Sequence, residues 1–592
     1  NKSFEINNEP RIKALSISAD KDASYYNKGI FTTCKKDDSC PPWQISAKEI
    51  KHDKKKKVIY YKDAWFKIYN KPVLYFPKFF HPDPTVKRQS GFLTSSFKDS
   101  TSTGTSVQIP YFMAISNNKD ATFSPQLFSN KILLQTEYRQ ANKNSNHILD
   151  FSFLNDETGS TKSHFFSNSE KVLDLKGFDD SKLKIRFEHA NNDSYLKTYK
   201  LKSPILKDNN LLTSSVGLSA YRDDLNFDID FYRYENLNVT GNDKWEYIFP
   251  SYNLSKKQNY DFGLDGNFRF DSAGYIKNIS TNTTEKILVN DLYFDSSQKY
   301  TNLGIKSGYR ALFRNTTSDS KNSKKYKDSP NSVVYSIFEY NSSYPLIKKN
   351  KETKDTLKPQ ISLKFSPNRS KNIRTKQKRI DVNNIFSLNR ISQSDSVEGG
   401  SSLTYGLEYN KSDNASNRDI FTAKLANIFR AEEDENLPKS STIGQKTSNI
   451  VGNLNFDPHN FFNINYDFAL DENLIRQNYQ LLSTQIAVNN FVNTFEYLNE
   501  NNTKLNESYL SNEFAYKLSE DKKMIFNTRI NKKTNLTEFY NLIYEYKNDC
   551  LIAAIEYNKD YYSNGDLKPQ ESIFFKLTIV PFGETNSPNL MK

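Results

Sequence analysis

The chain is poor in the residues that most catalytic motifs and helical membrane spans are built from. Its 592 residues include 19 glycines, three cysteines and six histidines, and only 36% are hydrophobic. No segment offers the roughly 18 uninterrupted apolar residues of a transmembrane helix, so a membrane, if one is crossed, is crossed by strands. There is no P-loop, no Gly-rich dinucleotide turn and no G-x-S-x-G elbow. His52, His81, His147, His164, His189 and His459 are scattered, without an H-E-x-x-H or a pair at ligand spacing. An enzyme is therefore not expected, although a barrel phospholipase needs a Ser/His pair that so many serines could hide. His81, between Phe80 and Pro82, reads as a turn residue rather than a base.

The cysteines are Cys34, Cys40 and Cys550, two near the front and one near the end. An odd total leaves one thiol free, or paired with a cysteine upstream of Asn1. A local Cys34–Cys40 bridge is open on this reading. No further Cys or nearby His completes a metal site around that pair, so neither a metal nor a cofactor is expected.

What the chain does have is aromatic residues, 14% of the total, and a period of two. Leu225, Phe227, Ile229 and Phe231 alternate with Asn226, Asp228 and Asp230; Phe462, Ile464, Tyr466, Phe468 and Leu470 alternate with Asn463, Asn465, Asp467 and Ala469. Leu183, Ile185 and Phe187 repeat the rhythm, as do Ile573, Phe575, Leu577 and Ile579. Period two means strand. A soluble antiparallel sheet has the same alternation with its apolar side turned inward. So many strands without helical patterning would need several sandwiches in tandem, whereas one closed barrel leaves no edges. From about residue 88 there is room for about 26 strands at roughly 19 residues per strand and connection.

A mean hydropathy of −0.76 and a net charge of +13 complete the picture. A basic excess suits an anionic lipid or a nucleic acid. It also follows from a general preference for lysine, and the run from Lys54 to Lys57 reads as solvated. Aromatics that recur strand after strand resemble interfacial girdles, which favours lipid and excludes nucleic acid as the expected partner.

Residues 65–84, WFKIYNKPVLYFPKFFHPDP, run straight into TVKRQSGFLTSSF. This order of amphipathic strand, Pro-framed aromatic strand, His-Pro-Asp-Pro turn and SGFL strand resembles a junction in the LPS-assembly outer-membrane protein family (LptD, also called OstA or Imp). Thr32-Thr33-Cys34 and Pro42-Trp43-Gln44-Ile45 upstream are similar to that family's Cys-containing loop and Trp strand. Ile109-Pro110-Tyr111-Phe112, 120–126, LLQTEYR at 133–139, DSYLKTY at 193–199, Tyr344-Pro345-Leu346, the long stretch 381–409 and the end region from Asp549-Cys550 to 583 follow in the family's order.

The resemblance implies an all-β fold. Residues 1–87 would be the C-terminal part of a periplasmic β-jelly-roll (OstA-like) domain, and 88–592 a large antiparallel transmembrane β-barrel in the cell outer membrane. Family members have more jelly-roll than this, so the domain is expected to begin upstream. The implied function is that of an outer-membrane translocon component. It would take lipopolysaccharide from a periplasmic bridge protein (LptA-like) and insert it into the outer leaflet through a lateral barrel opening, with a plug lipoprotein (LptE-like) in the barrel. Candidate groove residues are Trp65, Phe66, Ile68, Val73, Tyr75 and Phe79, with the inward-facing set left open. Candidate gate residues are Phe92, Leu93, Ser95, Pro110, Leu577 and Ile579.

Ser95 stands where the family usually has a proline, so the seam is expected to zip further unless Pro581 frees the opposite edge. The resemblance also implies a bridge from Cys34, or less in keeping with its Thr-Thr-Cys context from Cys40, to Cys550. The chain departs from the family's better-known pattern in having a single cysteine at the C-terminal site and an extra one at Cys40. A general outer-membrane channel of porin type and a secreted adhesive β protein are the rival functions. The first has no need of the N-terminal strands and their cysteine, and the second has no membrane.

Overall fold

A computed structural model describes residues 10–34, 41–83, 86, 88, 90–93 and 95–579 of the chain, apart from short stretches at 156–158, 160, 259–264, 281, 392, 394, 460, 502–506 and 562–568. Nearly every element is a strand. No helix among the described residues is long and apolar enough to cross a membrane. The strands form two sheets.

The first sheet is antiparallel and holds Ala23–Thr32, Trp43–Asp53, Val58–Ile68 and Lys71–Pro82 in chain order, with Arg11–Lys13 and Ser16–Ala19 both paired to Ala23–Thr32. One face gathers Phe31, Trp43, Ile45, Ala47, Ile50, Ile59, Tyr61, Ala64 and Phe66 into a buried cluster. Simple alternation does not run through these strands. In Val58–Ile68 the residues of this cluster are Ile59 and Tyr61, then Ala64 and Phe66, and in Trp43–Asp53 they are Trp43, Ile45 and Ala47, then Ile50. The change of parity falls on Asp63 and Lys48, aligned with Lys28 and Pro77 in a row across the sheet. Lys28 and Asp63 have φ of 48° and 51°. The extra turn of backbone bends the sheet along this row and keeps one apolar face on one core.

The second sheet is the barrel. Its 30 strand segments, from Gly91–Phe92 to Gln570–Ile579, include short pieces that share a neighbour and so count as one interrupted strand. Asn331–Ser343 and Leu346–Lys349, for example, both pair with Thr353–Ser366, the break falling at Tyr344-Pro345, where proline lacks a donor. The result is a closed antiparallel barrel of 26 strands. Ile185, Phe187, Phe231, Ile464, Ile573 and Phe575 are exposed on its outside, as the alternation requires of a wall with lipid beyond it.

The polar stretches 318–329 and 410–417 are strand only at their starts, where Lys306–Lys321 and Gly400–Asp413 end, and connections beyond. The longest connections, 191–210, 367–399 and 431–449, fold into the barrel. Ile373, Ile385, Ile391, Leu437 and Ile443 from two of them are buried with Ala426, Ile428 and Val451 of the wall, whose neighbours Leu425 and Phe429 face outward. Residues 191–210, with the short helix Tyr195–Thr198, pack Tyr195, Leu196, Leu201 and Ile205 on Leu133, Leu154 and Phe166.

Candidate functional site

The N-terminal sheet is joined to the barrel beside the last strands. Cys34 and Cys550 are disulfide-bonded, with an S–S distance of 2.06 Å across 516 residues of sequence. Both are fully buried. The Trp43 indole donates to the Cys550 carbonyl at 2.9 Å, and Thr32 Oγ1 donates to the Trp43 carbonyl at 2.8 Å. The hydroxyls of Tyr69 and Tyr546 lie 3.0 Å apart. The sheet's buried cluster continues into Cys550 and Leu551 of the barrel, and Tyr546 and Leu577, both on barrel strands, pack against this shared cluster. Cys40 lies outside the described residues.

The groove candidates divide between the two faces. Phe66 is buried in the cluster, and Ile68 and Phe79 pack on it. Trp65, Val73 and Tyr75 lie exposed on the other face, Trp65 and Tyr75 with ring centroids 5.0 Å apart. Tyr75 donates to Asp63 at 3.0 Å, and this bond is the main cause that raises its pKa.

His81 ends the strand Lys71–Pro82 and does not form a turn, because its ring fills the core between Phe31 and Tyr61, at 4.8 and 5.2 Å. Tyr61 Oη is 2.6 Å from His81 Nε2, and His81 Nδ1 is 2.6 Å from the Pro82 carbonyl. Burial lowers the His81 pKa to about 3.

The barrel closes by a short seam. Ser572, Ile573, Phe574, Phe575 and Lys576 of the last strand face Ser100, Asp99, Lys98, Phe97 and Ser96 of the first. On its other side the same last strand keeps register with Leu551–Asp560 over its full length, from Gln570 to Ile579. Leu577 and Ile579 are thus paired on one edge only among the described residues. Phe92 pairs with Tyr111 of the second strand, and the Leu93 amide donates to the Pro110 carbonyl at 2.8 Å. The last registered pair of the seam is at Ser96, although the exposed Ser95 before it is not a proline. Pro581 lies outside the described residues.

Since the last strand's Ile579 faces Leu551, next to Cys550, the seam is paired away from the N-terminal sheet and unpaired toward it.

Two buried polar clusters escaped sequence reasoning. In the first, Ser152 Oγ lies 2.6 Å from His164 Nδ1 and 2.7 Å from Tyr195 Oη, and His164 Nε2 lies 3.4 Å from Asp150. The residue types are those of a hydrolase pair, but the His164 and Asp150 side chains have no exposed surface, and Ser152 and Tyr195 are buried with them. It pins residues 191–210 to the wall.

In the second cluster Arg390 donates to Glu398 at 2.7 Å, to Thr404 at 2.8 Å and to Ser402 at 2.7 Å, and Arg430 donates to Glu398 at 2.7 Å. Arg314 adds bonds to Asp291 and to the carbonyls of Gln393 and Ser396. Gly399 sits where a Cβ would come within 2.2 Å of the Asn368 carbonyl. The resemblance over 381–409 was the available signal, since this stretch runs from the cluster into the wall strand Gly400–Asp413.

Residues 167–561 match the family model of LptD, LPS transport system D. The chain is similar to the LPS-assembly protein LptD of Shewanella frigidimarina, 28% identical over 248 residues, covering 41% of this chain and 31% of the relative. It is also similar to the LPS-assembly protein LptD of Ralstonia nicotianae, 35% identical over 136 residues, covering 23% of this chain and 16% of the relative. The matched stretch thus spans less than about a third of either relative, 31% and 16%. Among solved structures, the alcaligin outer membrane receptor FauA from Bordetella pertussis aligns over 96% of this chain and 90% of its own at 8% identity, with a TM-score of 0.30.

Proposed function

Because this chain belongs to the LptD family, LPS transport system D, we propose that it delivers lipopolysaccharide to the outer leaflet of the outer membrane through the seam between its first and last barrel strands. Residues 1–87 act in the periplasm as the end of a jelly-roll, and 88–592 act as the barrel. The observation that carries the reading is that Leu577, on the last strand, packs against a buried cluster that joins the apolar core of the N-terminal sheet to Cys550 and Leu551 of the barrel. An apolar path from that core arrives where the seam has lost its ladder.

Acyl chains need such a path, since each CH₂ kept from water contributes about 0.8 kcal/mol. Phe66, Ile68 and Phe79 are the inward set that would line it, with Trp65, Val73 and Tyr75 outside. The polar head group travels in the lumen, and both parts leave sideways. Each ladder hydrogen bond contributes roughly 1 kcal/mol net. A seam that runs from Ser572 to Lys576 is therefore easier to part than the neighbouring ladder from Gln570 to Ile579.

Residues of 191–210, 367–399 and 431–449 packed on the inner wall narrow the lumen, which speaks against a general diffusion channel. No bond is made or broken in this cycle, so the protein is a transporter and not an enzyme. A plug lipoprotein in the lumen and a jelly-roll bridge protein at the N-terminal sheet are its partners.

The test is a photo-crosslinking residue placed in turn at Trp65, Phe66, Ile68, Val73, Tyr75 and Phe79. Lipopolysaccharide should be captured at Phe66, Ile68 and Phe79 and not at the other three. Capture at none of the six would sink the groove.

A further inference from the structure

We propose that Lys98, Lys576, Lys200 and Lys202 form a phosphate-binding site on the inner face of the seam, which receives the phosphorylated head group of the lipid just before lateral release. The inference rests on the transport reading above and adds a site to it.

Lys98 and Lys576 belong to the two strands of the seam. Lys98 faces Phe574, and Lys576 faces Ser96. Their neighbours Phe97 and Phe575 are exposed on the outside of the barrel, so both lysines stand on the luminal side. Diagonal neighbours on one face of an antiparallel pair are about 7–8 Å apart, a span that a phosphate between two ammonium groups fills.

Lys200 and Lys202 come from the folded-in segment 191–210 and reach the same place. Lys200 Nζ lies 3.0 Å from Asp560 on the neighbouring strand, and Asp560 faces Gln570, whose side chain donates to Ser100 across the seam. Lys202 is held by its carbonyl, which accepts from Gln135 at 2.9 Å; Gln135 in turn donates to the buried Asp150 at 3.0 Å. Leu201 between them is buried in the loop's apolar core. Lys98 is within electrostatic reach of Lys200 and Lys202, and Lys576 within reach of Lys202.

Four like charges gathered at membrane depth repel one another unless an anion joins them. Asp560 pairs with Lys200, and Glu545 is within electrostatic reach of Lys576. Among the described residues Lys98, Lys202 and Lys576 have no ion-paired carboxylate. Lysine suits the role, because its ammonium is a mobile point charge that can hand a phosphate on. The buried anchors Gln135, Asp150 and Leu201 hold the loop's two lysines over a seam whose own two lysines move with its strands.

The experiment uses the full chain reconstituted in vesicles, with a photo-crosslinker at Ser96. Purified lipopolysaccharide is compared with the same lipid stripped of its phosphates. Capture of the phosphorylated lipid should fall about tenfold in the triple variant Lys98→Gln, Lys202→Gln, Lys576→Gln, and equally for the stripped lipid on the unchanged chain. A single Lys202→Gln variant, with its change confined to the loop surface, should show part of the loss. Capture from Phe66 in the groove should remain in all variants, which shows that they fold.

Capture at Ser96 that ignores both the substitutions and the loss of phosphates overturns the site and leaves the transport reading standing. No capture at either Ser96 or Phe66 of the unchanged chain overturns the transport reading, and the site with it. A large excess of inorganic phosphate should lower capture at Ser96 and leave capture at Phe66 unchanged, whereas capture at Ser96 that inorganic phosphate does not lower overturns the phosphate site.

Discussion

The indole nitrogen of Trp43 donates to the carbonyl of Cys550 at 2.9 Å, so a tryptophan of the first sheet caps the residue that carries the disulfide to that same sheet. The covalent link and the hydrogen bond close on one buried point beneath the last two barrel strands. The sheet is thereby fixed in position and not merely tethered.

Loss of the link should therefore loosen the sheet without opening the barrel. Cys550→Ser should abolish the mobility difference between reduced and non-reduced chain on gels. It should lower the stability of the N-terminal sheet by on the order of 4 kcal/mol, read by proteolysis within residues 43–82. Trp43→Phe, which keeps the disulfide, should cost about 1–2 kcal/mol, because it strands a buried carbonyl.

His81 sets the acid limit of that sheet. Its pKa is about 3 when folded against an ordinary 6.5, so the unfolded chain takes up a proton that the folded one refuses. The stabilisation is complete above pH 6.5 and is lost as pH falls toward 3, at roughly 1.4 kcal/mol per unit. The protection of residues 58–82 from hydrogen exchange, relative to the unfolded chain at each pH, should be lower at pH 5 than at pH 7 by an equivalent of about 2 kcal/mol. His81→Gln should flatten that dependence.

Within the lumen, Glu398 serves two guanidiniums, so the order of effects is fixed. Glu398→Ala leaves Arg390 and Arg430 buried without their carboxylate and should cost about 3–5 kcal/mol. Arg390→Met should cost less, since Glu398 keeps Arg430. Protease cutting within 367–399, and thermal melting of the folded barrel band on gels, should rank the two in that order.

Gly399→Ala tests the same threading from the backbone side. The added methyl meets the Asn368 carbonyl at 2.2 Å and the Ser370 amide at 2.9 Å. Overpacking of this kind should cost about 1–3 kcal/mol in the same melting experiment.

The barrel was legible because lipid imposes a period of two on every strand, and Ile185, Phe187, Phe231, Ile573 and Phe575 all took the outward face expected of them. The link to Cys550 was legible only through resemblance, since spacing alone left Cys34 and Cys40 open. The bend at Asp63 was not legible: a positive φ at a polar residue leaves no periodic mark, and it decided which groove candidates face the core. The luminal segments were hidden for a related reason. Arg390, Glu398 and Arg430 look like surface residues in sequence, and only their mutual pairing makes them interior ones.

The central claim is that lipid leaves between the first and last strands, and locking the seam tests it most directly. Phe97 and Phe575 face each other across it on the lipid side. The double variant Phe97→Cys, Phe575→Cys should form a disulfide, visible by mass mapping. It should stop the appearance of lipopolysaccharide at the cell surface, and mild reduction should restore it. The unchanged chain under the same reductant serves as the control for the native bridge. Continued delivery with the seam demonstrably locked would contradict lateral release.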